Sequence, residues 1–161
     1  MRGEAVRLPD QQILDFVLTE TKAGKKEWVL QAERAKVFDP SNQIHLDTLV
    51  VDFYDERGQH TSRLTSLGGV INRTTHNMEA FGEVLIVTDE GLELESDEVR
   101  WVNKLSQIVS DAPVTFTRRG NVLRGVGFVS DASLENIEIR REVRADVRDT
   151  ETLGREEDAE P

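Results

Sequence analysis

The sequence predicts an all-β chain built from a repeated strand–turn–strand unit of roughly thirty residues. Three observations carry that expectation. Apolar and polar residues alternate at period two, as in Trp28/Leu30/Ala32, Val84/Ile86, Val114/Phe116 and Ile137/Ile139. That spacing puts one face of a strand in a core. Turn-forming clusters separate the alternating runs, and the runs keep step with one another across the chain.

The register is found by counting from Ile44, Met78 and Ile108, which lie 34 and 30 residues apart. Seven residues before each stands a large apolar residue: Val37, Ile71 or Trp101. Six residues after each stands a valine: Val50, Val84 or Val114. Leu46, Ala80 and Ser110 follow the anchors by two, and Gly58, Gly91 and Gly120 close the units. The residue seven before and its anchor flank a turn and face each other across it. An even offset of six predicts that the valine shares the anchor's face. A single hairpin cannot offset its own backbone entropy, so the units must stack.

In chain order, Met1 to Gln12 is polar, contains Pro9-Asp10, and predicts a flexible lead. The β domain spans 13–143. Its expected strands are Ile13–Thr21, Glu27–Phe38, Ile44–Tyr54, Thr61–Leu67, Gly69–Thr74 and Met78–Thr88, then Leu92–Asn103, Ser106–Ser110, Pro113–Arg118, Val122–Val129 and Leu134–Val143. Glu27–Phe38 has some helical character, but Trp28, Val29 and Val37 favour a strand. Turns fall at Asp39-Pro40-Ser41-Asn42, Glu56-Arg57-Gly58, His76-Asn77, Asp89-Glu90-Gly91, Arg119-Gly120-Asn121 and Ser130-Asp131. Gly68-Gly69 and Gly125-x-Gly127 interrupt strands and predict bulges or tight bends. Residues 144–161 end in Glu156-Glu157-Asp158-Ala159-Glu160-Pro161, carry excess negative charge, and predict a disordered acidic tail.

Composition narrows the function. With 20 Lys and Arg against 31 Asp and Glu, the formal charge is -11. That balance disfavours nucleic acid, whose binding depends on clustered cations. The absence of cysteine removes disulfides and thiolate metal sites. His45, His60 and His76 lie in or beside turns without metal-ligand spacing, and predict solvent-exposed side chains. No nucleophile elbow or phosphate loop occurs, so no enzyme chemistry, metal or cofactor is expected. Glu93 and Glu95 read as the wet face of a strand whose dry face is Leu92 and Leu94.

Several local marks then appear in a fixed order. They are Thr19-Glu20-Thr21-x-x-Gly24 with Trp28-x-Leu30-x-Ala32, then Leu64-Thr65-Ser66-x-Gly68-Gly69-Val70-Ile71-Asn72, then Met78-x-Ala80-x-Gly82-x-Val84. Val99-x-Trp101 and Ser110-Asp111-x-Pro113-Val114 come next, and Leu123-x-Gly125-x-Gly127-Phe128-x-Ser130-Asp131 ends the series. In this order they resemble the LptC family, the periplasmic component of the lipopolysaccharide-transport bridge, from Leu8 to about Arg144. The resemblance implies a β-jellyroll of two facing antiparallel sheets, related to the soluble bridge protein LptA. It implies lipopolysaccharide received from an inner-membrane ABC transporter and passed to LptA, and an N-terminal membrane helix that this sequence lacks.

The residues fit that implication. An apolar slot between sheets would be lined by Val37, Ile44, Leu46, Val50, Ile71, Met78, Ala80, Val84, Ile86, Trp101, Ile108, Val114, Phe116 and Phe128. The small Ala80 and Ser110 leave room beside Met78 and Ile108. Arg118, Arg119 and Arg124 are candidates to meet an anionic head group at the rim. The first and last strands, with Phe16 and Leu18 and with Ile137 and Ile139, present open edges for a partner's strand. Two other readings are open: a scaffold that joins envelope proteins by edge pairing around a filled core, and a carboxylate hydrolase.

Overall fold

A computed structural model describes Pro9 and residues 11–146. Nine strands follow in chain order: β1 (Gln11–Lys22), β2 (Lys25–Phe38), β3 (Gln43–Tyr54), β4 (His60–Asn72), β5 (Met78–Thr88), β6 (Glu93–Val102), β7 (Gln107–Arg118), β8 (Asn121–Ser130) and β9 (Ile137–Asp146). Each is antiparallel to the next, giving one sheet in the order β1 to β9. Among the described residues the one helical element is a 3-10 turn, Asp39–Ser41, and no helix is long and apolar enough to cross a membrane. Among the described residues β1 and β9 are the edge strands.

The hairpin registers are those the spacing predicts. Val37 pairs with Ile44, Ile71 with Met78, and Trp101 with Ile108. Ile44 also pairs with Ile71 and Met78 with Trp101, so one apolar row crosses five strand junctions.

Every strand bends near its middle, and the bends fold the sheet onto itself. Left-handed backbone marks the fold line at Asp15, Thr48, Gly82, Glu83, Gly127 and Glu142. The ladder shifts register along the same line, between Thr65 and Gly68, Phe81 and Val84, Ser96 and Arg100, Ser110 and Pro113, and Arg124 and Val126. Such bends let one strand serve two packed layers. The facing layers of the jellyroll are thus two halves of one continuous sheet.

Bending frees backbone carbonyls that must find other donors. Buried serines supply them. The Ser66 hydroxyl donates to Gly68 O at 2.8 Å, Ser96 to Pro113 O at 2.8 Å, and Ser110 to Glu98 O at 2.7 Å. Gly69 is required by close approach: a Cβ there would lie 2.6 Å from Glu79 O and 2.8 Å from Leu49 Cδ2.

Several expectations are corrected. Thr61–Leu67 and residues 69–72 are parts of one strand, β4, with Arg73 and Thr74 in the turn that follows, and residues 107–110 and Pro113–Arg118 are parts of β7; the bend expected at Gly68-Gly69 lies inside β4 and does not divide two strands. Leu134 belongs to the β8–β9 loop, not to a strand. Asp131 organises that loop by accepting from Glu135 N and Ser133 Oγ, and Leu134 is buried. Gln11 and Gln12 start β1, and residues 144–146 finish β9, so the β structure extends beyond 13–143 at both ends. The rest of the expected lead, apart from Pro9, and the rest of the expected tail lie outside the described residues.

Candidate lipid-binding interior

The bends decide which residues meet inside. In β2 the buried residues Trp28, Leu30 and Ala32 give way to Ala35 and Val37, a change of parity across Glu33. In β3 Ile44 and Leu46 give way to Leu49, Val51 and Phe53 across Thr48. A bend that takes one extra residue shifts the alternation by one, so the inward positions change parity while the same face of the sheet stays inside. In β5 and β7 the bend takes two residues, so parity is kept and Met78/Val84 and Ile108/Val114 are all buried.

Twelve of the predicted lining residues are therefore in the core: Val37, Ile44, Leu46, Ile71, Met78, Ala80, Val84, Ile86, Trp101, Ile108, Val114 and Phe128. Phe116 is half-buried against it. Val50 is the exception. It pairs with Gln31 and Thr65 and is half-exposed, while Leu49 and Val51 on either side are buried. The single-residue bend at Thr48 reverses the parity that the even offset assumed. Sequence reasoning also missed Leu49, Val51, Phe53 and Leu64 as interior residues. Ser110 does not hold space open; its hydroxyl is committed to Glu98 O and receives the Ala112 N–H.

The two halves close on each other. The rings of Phe53 in β3 and Trp101 in β6 have centroids 4.9 Å apart. Trp28 and Trp101 both donate their indole N–H to Asn103 Oδ1, at 2.9 and 2.8 Å. Between the halves lies a cavity of about 10 Å³ beside Met78, Ala80, Trp101 and Ile108. Phe16, Leu18, Ile137 and Ile139 turn inward and pack on the core, so the partner-facing part of each edge is its backbone and its outward side chains. Leu14 and Val17 are the exposed apolar residues of β1.

Charge is distributed outside this interior. Arg124 is paired with Asp146, while Arg118 and Arg119 have no such pair among the described residues. His60 is not simply solvent-exposed as expected. Its Nε2 lies 2.8 Å from Asp52 Oδ1 and its Nδ1 2.8 Å from Asp89 Oδ1, while Arg63 Nε donates to Asp52 at 2.8 Å. Burial alone would pull the imidazole down, but its bonds to Asp52 and Asp89 outweigh that and hold it above its ordinary 6.5. Burial likewise works against the Asp52 carboxylate, and the bonds from Arg63 and His60 keep it below 3.8. His76 is also engaged, with Nδ1 2.5 Å from Glu20 Oε1. Among the described residues no cluster of three or more His, Asp and Glu is placed to hold a metal ion.

Comparison with known proteins bears on what this folded sheet is for. Residues 4–148 match the family described as lipopolysaccharide-assembly, LptC-related. The chain belongs to the LptC family. It is accordingly a component of the lipopolysaccharide-transport bridge in the periplasm, and not an enzyme. No curated protein matches the sequence. The fold is similar to the crystal structure of LptH from Pseudomonas aeruginosa, described as the LptA homologous periplasmic component of the conserved lipopolysaccharide transport device. The TM-score is 0.55 at 13% identity, over 75% of this chain and 94% of that one. The likeness extends the jellyroll assignment to a protein with little sequence in common with this LptC-family chain.

Proposed function

We propose that this LptC-family chain shelters lipopolysaccharide acyl chains between the two halves of its folded sheet. In this reading it receives the lipid from an inner-membrane ABC transporter, to whose membrane it is held, and relays it to LptA through an open sheet edge. The observation that carries the reading is the continuous apolar row Val37–Ile44–Ile71–Met78–Trp101–Ile108, in phase across the sheet. A lining without interruption from strand to strand suits long hydrocarbon, which makes no directional demands on its surroundings. The outer edges of β1 and β9, unpaired among the described residues, suit a chain of jellyrolls joined strand to strand.

One observation favours a second reading, a scaffold with a filled core. The cavity beside Met78 and Trp101, about 10 Å³, is far below the roughly 300 Å³ at which ligand pockets begin. Photo-crosslinking separates the two. A crosslinker at Ile86 or Phe116 labels lipopolysaccharide and one at Glu93 on the outer face does not. Equal labelling at all three positions, or labelling at none, supports the scaffold.

A further inference from the structure

If acyl chains are carried inside, the halves must part, and the contacts that hold them shut define where. This inference rests on the carrier reading. On the bent side the halves share nine continuous strands and cannot separate. On the opposite side side-chain contacts join them: Ser62 Oγ donates to Ala132 O at 2.6 Å, and a larger group converges on Asn103, in the β6–β7 turn. Its Oδ1 accepts both indole N–H groups, Trp28 from one half and Trp101 from the other. An indole donates and never accepts, so the amide orientation is fixed by chemistry. The amide nitrogen then faces Glu20 Oε2 on β1 at 3.2 Å, and the backbone N–H of Asn103 donates to Asn77 Oδ1 at 2.8 Å.

Glu20 also takes His76, from the β4–β5 turn, and Ser106 donates to Glu27 at the start of β2. The bonds from Trp28, Glu20 and Glu27 join the β1–β2 hairpin to the β4–β5 or β6–β7 turn, elements that are not neighbours in the sheet, while the Asn103–Asn77 bond ties those two turns to each other. β1 is an edge strand, with a hydrogen-bonded neighbour on one side only. The β2–β3 ladder begins at Trp28, so the hairpin tip up to Glu27 can swing away without breaking that ladder. The seam is polar, whereas the surfaces behind it, Trp28, Phe53 and Trp101, are apolar. Polar bonds can be exchanged for water at little net cost, and the apolar surfaces can be re-covered by hydrocarbon.

We infer that Asn103 is the hub of a releasable seam, and that acyl chains reach the interior by displacing the β1–β2 hairpin from it. The test uses the lack of cysteine in the native sequence. A Glu27→Cys/Ser106→Cys variant is either tied across the seam with a short bis-maleimide or capped with N-ethylmaleimide, and each form is titrated with lipid A. The capped form binds at least as well as native protein, and the tied form binds about tenfold less or worse, because its competent state is depopulated. Equal binding by tied and capped forms overturns the seam while leaving the carrier reading intact. Failure of native protein to bind lipid A overturns the carrier reading, and the seam with it. Asn103→Ala supplies a second readout through the only two tryptophans of the chain, both at the seam. Their emission moves to longer wavelength and lipid A loads faster than in native protein; an unchanged spectrum and rate overturn the hub role.

Discussion

Phe53 and Trp101 touch, ring centroid to ring centroid at 4.9 Å, although two strands separate β3 from β6 within the sheet. The contact exists because the sheet is folded, and it bridges the halves at their closing side. Removing one ring leaves a hole that neighbouring strands, fixed by their ladders, cannot collapse into. Phe53→Ala is expected to cost about 3–5 kcal/mol, read as a lowered urea midpoint with intact far-ultraviolet circular dichroism. A loss under about 1 kcal/mol would show that the halves do not depend on this contact.

Gly125 carries a different burden. A Cβ at that position would lie 2.2 Å from Ile139 Cγ2 and 3.1 Å from Arg141 O, so β9 sits directly over it. Gly125→Ala forces β9 outward. We expect about 1–3 kcal/mol of destabilisation. Amide exchange should show β9 losing protection before β3 and β4. Uniform loss across the sheet would mean that β9 is not the element displaced.

The His60 node predicts a pH dependence. A raised imidazole pKa contributes stability that is fully present below the unfolded value of 6.5 and lost as pH rises through the folded value. Asp52, held below 3.8, contributes stability that is present above 3.8 and lost as pH falls through its folded value. Both contributions coexist in the window between. The Tm difference between native protein and His60→Gln is therefore largest at mildly acidic pH and shrinks as pH rises above 6.5. A difference that stays constant from mildly acidic to mildly alkaline pH would remove His60 from the account.

Much of this was legible in the sequence because hairpin register is local. Val37/Ile44, Ile71/Met78 and Trp101/Ile108 could be paired by counting across their turns, and each pair is found in the sheet. The bends were less legible. Thr48 and Glu83 adopt left-handed backbone without being glycine, so no residue type announced that β3 would switch face, and Val50 was assigned to the wrong side. Gly68-Gly69 did announce a discontinuity in β4, but a bend inside a strand and a gap between strands carry the same signal. The Asn103 seam depends on tertiary proximity between turns far apart in sequence. Its one available hint was chemical: two tryptophans expected in a core each need a hydrogen-bond acceptor.

The free edges differ in character, and that difference gives a prediction about assembly. β9 carries Arg140, Arg141 and Glu142 among its exposed residues, and charges of this kind guard an edge against indiscriminate pairing. β1 runs for twelve residues with exposed Leu14 and Val17 on its outward face, which leaves it the more receptive of the two. Replacing both with lysine puts charge along that edge without touching Ile13, Phe16 or Leu18, which pack inward. Surface changes of this kind alter stability by about 0.5 kcal/mol at most, so any lost interaction reports on the edge and not on the fold. Pull-down with the purified inner-membrane transporter and, separately, with LptA should show the Leu14→Lys/Val17→Lys variant losing one partner and keeping the other. Retention of both would exclude β1 as a docking strand and leave β9 to carry the strand-to-strand contacts.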